Sequence, residues 1–213
     1  MSDRQLVSVL TPTWQRHDLL MAAIENVRHQ TYRPLEHVVV SDGPDHELMN
    51  RIYAEKLRQP CPIDDERYVS LRFLMLGRNW SSILPASFAA PPIIVAQLTA
   101  TGSYHHFLAD DETMAPDHIE SLVAAMSGAG ADFAYSKVNL YWPDGPTRTI
   151  GTDPPQEGQI TNALYRADLI RRAGLYPLGA GMTSDWEYVR RWMAVGATWA
   201  FVERVTLQHR VDH

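Results

Sequence analysis

The segment LVSVLTPTWQRHDLLMAAIENVRHQTYRPLEHVVVSDG, Leu6–Gly43, changes its hydrophobic period twice. Leu6 to Leu10 is a short apolar run that meets a turn signal at Thr11-Pro12-Thr13, and from Asp18 onward Leu20, Ile24 and Val27 recur at helical spacing. Leu35 to Val40 is apolar enough to be covered on both faces, as parallel strands are, and it stops at Ser41-Asp42-Gly43-Pro44. Strand, loop, helix and strand in that order predict the opening of an α/β domain.

The pattern continues outward. His46 to Leu57 reads as a helix with Leu48, Ile52 and Leu57 inward, Val69 to Leu76 as a strand, Ile93 to Thr101 as a helix, and Tyr104 to Leu108 as a strand ending in Asp110-Asp111-Glu112. Pro116 is expected to start another helix, with Asp117 in its first turn and Ile119, Leu122, Val123 and Met126 on one face. The later chain changes character. Phe133 to Tyr141 and Thr147 to Gly151 flank Trp142-Pro143-Asp144-Gly145-Pro146 as a hairpin, and Arg166 to Arg172 reads as a short helix closed by Gly174. Asp185 precedes a helix with Trp186, Val189, Trp192 and Met193 on its apolar face, and Thr198 to Val205 returns as strand. The expected class is α/β, a mostly parallel central sheet flanked by helices and joined to a mixed α+β half. Such sheets bind ligands beyond the carboxyl ends of their strands. Three of those ends carry Thr11-Pro12-Thr13, Ser41-Asp42-Gly43 and Asp110-Asp111-Glu112. Each alone is ordinary turn chemistry, but all three are expected on one edge.

Composition narrows the partners. The chain has 213 residues, 45% of them hydrophobic, with 19 basic and 25 acidic side chains and a formal charge of −6. A folded chain of this size removes roughly 70% of its unfolded surface from water, enough for a core without disulfides. The acidic balance argues against nucleic acid, whose binding rests on clustered Lys and Arg. Cys61 is the one cysteine, so no disulfide framework exists and a reducing, cytoplasmic setting is expected. The start, MSDRQLVSVLTPTW, lacks the apolar run of a signal peptide, and the most apolar segment, Ala86 to Leu98, is too short for a membrane span.

No G-x-x-x-x-G-K loop and no G-x-G-x-x-G turn is present, so a diphosphate needs another anchor. Asp110 and Asp111 offer one, because a hard divalent cation takes carboxylate oxygens and bridges to phosphate. The same acids also suit a solvated loop feeding the next helix. Asp185, just before an amphipathic helix, reads as an N-cap. His105 and His106 alternate across a strand and read as structural, and Trp14, Trp80 and Trp186 suit either burial or stacking on a sugar or base.

VSVLTPTWQR, HQTYRPLEHVVVSDG, GSYHHFLADDETMAPDHIESL and SDWEYVRRWMAVGA, in that order, resemble a family 2 glycosyltransferase of the GT-A fold. The resemblance runs over most of the chain and is weakest from Glu47 to Pro92 and around the Trp142 hairpin. It implies one domain over residues 1–213, with a nucleotide-binding half to residue 127 and an acceptor and catalytic half from residue 128. It implies that Thr11, Pro12 and Thr13 line a nucleotide pocket, that Asp42 meets the base or ribose, that Asp110 faces the ribose, and that Asp111 binds the cation under the diphosphate. His209 falls where related enzymes place a further metal ligand, and imidazole suits Mn²⁺ better than Mg²⁺; a surface histidine is the alternative. Asp185 would take the proton of the acceptor hydroxyl as it attacks the anomeric carbon, inverting the sugar.

Three features depart from the family pattern. Ala109 stands where many members carry an acid, and Ser184 where Glu is frequent, which leaves Glu187 as a second candidate base. Ile93 and Ile94 replace the usual Arg or Asn, whose place Arg78 or Asn79 would take. The reading is therefore a metal-dependent transfer of a hexose-type unit from a nucleoside diphosphate, UDP foremost, to a hydroxyl acceptor. Its rival is a non-catalytic nucleotide-sugar binding module. Nucleotidyl transfer would require glycines after the first strand that Thr11-Pro12-Thr13 does not supply. The acceptor pocket is expected around Trp142 to Thr161 and Leu178 to Thr183.

Overall fold

The structure is a computed structural model describing residues 4–58, 68–84, 89–156 and 160–211, and Cys61 lies outside the described residues. Its first half runs β1 (Val7–Thr13), α1 (His17–Arg28), β2 (Leu35–Ser41), α2 (His46–Arg58), β3 (Val69–Met75), α3 (Ala90–Thr99), β4 (Tyr104–Phe107), β5 (Glu112–Met114) and α4 (His118–Ala129). The second half adds β6 (Phe133–Tyr141), β7 (Thr147–Ile150), β8 (Ala163–Arg166), α5 (Leu169–Ala173), α6 (Ser184–Ala194) and β9 (Trp199–Arg210). One sheet links the strands in the order β3-β2-β1-β4-β8-β6-β9-β5, with β7 paired to β6 beside that path. β3, β2, β1 and β4 are mutually parallel, whereas β8 is antiparallel to both β4 and β6. The α/β class and the mixed second half are thus as expected.

Several boundaries move, each for a local reason. Thr11-Pro12-Thr13 is strand rather than turn, paired to Val39, Val40 and Ser41 of β2. The partner on the other side, β4, stops pairing at Leu10, so a residue without an N–H is tolerated beyond that point. The helix expected from Ile93 begins at Ala90, because prolines at the first turn need no N–H partner. Pro116 lies before α4, whose N-cap is Asp117. Arg166 ends strand β8 instead of opening a helix, and β9 continues five residues past Val205 to reach β5.

Helices cover both faces. α1 and α4 pack Ala23, Val27, Ile119, Leu122 and Met126 against Val7, Val9 and Leu35, and α2 sets Leu48 and Ile52 against Leu20, Ile24 and Val39. On the opposite face α3 and α6 bring Ile93, Ala96, Tyr188 and Trp192 onto Leu10, Val38, Val40 and Phe107. Tyr165 and Tyr188 lie 4.7 Å and 4.9 Å, centroid to centroid, from the Trp192 ring. Such aromatic pairs contribute about 0.5–1.5 kcal/mol each beyond their buried area, which ties α6 firmly to the sheet.

Candidate active site

The parallel register brings the ends of β1, β2 and β4 to one edge, where a cavity of about 360 Å³ opens between Pro12, Thr13, Asp42, Asn79 and Asp110. Trp14 and Arg16 also line it. Trp14 can lie there because residue 43 is glycine: a Cβ at Gly43, whose φ is +148°, would stand 2.4 Å from the indole. Thr11 is not at the cavity; its side chain is buried and its hydroxyl is 2.9 Å from His37 Nε2. Asp42 is buried and accepts the backbone N–H groups of Trp80 and Ser81, both at 3.1 Å, so it holds the 79–82 segment over the cavity. Of the two replacements considered for the family's Arg or Asn, Asn79 lines the cavity, while the Arg78 guanidinium stacks on Trp80, 5.2 Å from its centroid. Ile93 is buried in the core.

The acidic tip is a tight turn. Glu112 closes it by accepting the Ala109 N–H at 2.9 Å, while its own N–H bonds the Ala109 carbonyl at 3.2 Å. Asp110 and Asp111 are therefore presented side by side, and Arg16 spans them: Nη1 is 2.9 Å from Asp110 Oδ1 and Nη2 is 2.6 Å from Asp111 Oδ2. Thr13 donates its hydroxyl to the other Asp110 oxygen at 2.7 Å. Burial pushes the Asp110 carboxyl up to about 6, Asp111 and Glu112 add to the rise, and Thr13 and Arg16 restrain it. Arg16 went unnoticed in the sequence, although a cation a few residues beyond a strand end facing an acidic tip was a usable signal.

His209 reaches this turn through the β5–β9 pairing, in which it stands opposite Glu112. Its Nδ1 lies 2.6 Å from Glu112 Oε1. Burial opposes the imidazolium, but the Glu112 bond and the charges of Glu112, Asp111 and Asp185 outweigh it and raise the His209 pKa. Asp185, in the first turn of α6, thus acts by charge on an imidazole bonded to the acidic turn. Asp185 lies inside α6, not at its cap, which is Thr183; its Oδ1 accepts the Tyr176 hydroxyl at 2.6 Å. Glu187 is committed to Arg191 on the helix surface at 3.2 Å.

The donor set suits a cation only in part. Among the described residues no group of three or more His, Cys, Asp or Glu side chains is arranged to hold a metal. Asp111 and His209 would therefore hold one only with substrate phosphates completing the coordination. A Glu112 carboxylate on Nδ1 is also the partner that fixes a ligating imidazole and leaves Nε2 as its basic nitrogen. Arg16 meanwhile already supplies a positive charge to the same carboxylates.

Neither a family model nor a curated protein matches the sequence. Solved structures do match the fold. Staphylococcus aureus TarS superposes with a TM-score of 0.73 at 14% identity, over 96% of this chain and 36% of that one. The fold is theirs. TarS 1–349 from S. aureus in complex with UDP-GlcNAc gives 0.72 at 16% identity over 97% of this chain and 59% of that one. The mannosyltransferase PcManGT from Pyrobaculum calidifontis, in complex with GDP-Man and Mn²⁺, gives 0.71 at 16% identity over 99% and 58%. This chain therefore spans from about a third to three-fifths of the length of these structures. No helix among the described residues is long and apolar enough to cross a membrane.

Proposed function

We propose that the protein is an inverting, divalent-metal-dependent glycosyltransferase of the family 2 type, moving a sugar from a nucleoside diphosphate, UDP foremost, to a hydroxyl acceptor. The observation that carries this reading is the acidic turn at the strand ends: Asp110 lines the cavity there, Asp111 shares Arg16 with it, and His209 is bonded to Glu112 of the same turn. The fold shared with structures bound to UDP-GlcNAc and to GDP-Man with Mn²⁺ supports it.

In this reading the nucleotide enters the cavity between Trp14 and the 79–82 segment, with Asp42 and Asp110 beside its base and ribose. A divalent cation held by Asp111 and His209 would neutralise charge on the departing diphosphate. The acceptor oxygen attacks the anomeric carbon as the bond from that carbon to the diphosphate oxygen breaks, and the hydroxyl proton passes to the Asp185 carboxylate. Asp185 sits in the first turn of α6.

Release of UDP or GDP from UDP-GlcNAc and GDP-mannose with Mn²⁺, measured for the protein and for Asp185→Asn, tests this. The variant is expected to lose about 10² to 10⁴ in rate, the usual cost of removing a general base. Asp111→Ala is expected to abolish the Mn²⁺ dependence of nucleotide binding. Tight nucleotide binding with no turnover across a broad acceptor panel would instead support the binding-module reading.

A further inference from the structure

Gln97 is a buried amide on the otherwise apolar α3, and an amide there is tolerable only with its hydrogen bonds made. Its Nε2 donates to the hydroxyls of Tyr165 at 3.0 Å and Tyr188 at 2.8 Å, and its Oε1 accepts the backbone N–H of Tyr176 at 2.9 Å. Tyr188 in turn donates to the Gly174 carbonyl at 3.1 Å. Side chains from α3 and α6 thus pin the stretch from Gly174 to Tyr176 from two sides. The Tyr176 ring is held edge-on between Phe107 at 6.0 Å and Tyr188 at 5.6 Å, centroid to centroid. Its hydroxyl is delivered to Asp185 Oδ1 at 2.6 Å, the short length of a charge-assisted bond.

We infer that Tyr176 is a positioning residue for Asp185: its hydroxyl, fixed through the Gln97 amide, sets the direction in which the carboxylate faces. The inference rests on the reading of Asp185 as the base. The phenol itself stays a donor, since burial and the Asp185 charge both push its ionisation far up. His209 on β9 is close enough to act on Asp185 by charge, and Glu187 lies two residues along α6.

Tyr176→Phe keeps the ring and removes only the donor. Two measurements separate the outcomes: kcat and KM for hydrolysis of UDP-GlcNAc and GDP-mannose with Mn²⁺, and UDP affinity by calorimetry. The expected result is unchanged UDP affinity and donor KM with kcat lower by about tenfold. A kcat equal to that of the unsubstituted protein overturns the inference. Loss of UDP affinity along with turnover also overturns it, since the hydroxyl would then hold the fold rather than the base. Equal turnover by the unsubstituted protein and Asp185→Asn would instead remove the base assignment, a failure the Tyr176 data cannot mimic.

Discussion

Lowering the pH from 7.0 to 5.5 is expected to remove about 4 kcal/mol of folding stability, because His37, His105, His106 and His118 are buried between the sheet and its helices. Burial disfavours each imidazolium and pushes His37 down to about 3, His105 and His106 down to about 4, and His118 well below 6.5. Arg28 adds to the fall at His37, and His106 and Arg204 add to it at His118. The bond to the Ala163 carbonyl restrains it at His106. In the unfolded chain all four titrate near 6.5. The unfolded state therefore takes up protons that the folded state refuses, and stability falls as the pH drops from about 6.5 toward about 4. Between pH 7.0 and 5.5 each histidine contributes about 1.2 kcal/mol to that loss, or about 5 kcal/mol for four.

Two groups run the other way. Asp110, raised to about 6 by burial, binds a proton more readily folded than unfolded and returns a little under ~1 kcal/mol over the same interval. His209, raised by Glu112 against its burial, also stabilises the fold as it protonates. A net loss of about 4 kcal/mol corresponds to roughly 10 °C in Tm for a chain of this length. Urea unfolding followed by tryptophan fluorescence at the two pH values, with thermal melts alongside, measures it. A Tm that moves by less than about 3 °C would refute the argument at its root, the exclusion of charged imidazole from the core. His37→Gln, which keeps a partner for Thr11, should reduce the pH dependence by about a quarter.

Arg16→Ala bares two adjacent carboxylates, so Mn²⁺ alone should raise the melting temperature of this variant more than that of the unsubstituted protein; an equal shift would show that guanidinium and metal do not share the site. Gly43→Ala should weaken UDP binding by about tenfold in calorimetry, because the new Cβ displaces Trp14 from the cavity wall. Glu36 accepts Ser8 Oγ, the N–H groups of Thr101 and Gly102, and Arg72 in one buried cluster, and Glu36→Ala should cost about 3–5 kcal/mol in urea unfolding.

Nearly all of the first half was legible from hydrophobic period alone. Leu35 to Val40 announces a strand because both faces are covered, Val69 to Leu76 because its apolar run has strand length, and Leu20, Ile24 and Val27 announce a helix because one stripe is covered. The three-residue β5 and four-residue β8 were missed, since segments that short hold no full period and exist only through their partners. The C-terminal stretch around His209 was read by position rather than as strand, and its pairing with β5 is a contact across 97 residues of chain.

The carboxylates and the edge they occupy follow from the order of residues, because parallel strands must end together and turns there are polar. What the amino-acid order could not disclose is who neutralises whom. Arg16 on Asp110 and Asp111, Glu112 on His209, and Tyr176 on Asp185 are set by sheet pairing and by the packing of α6 on the Gln97 face of α3. These long-range partnerships leave no local period to read, yet they set the charges and donors that surround each acid.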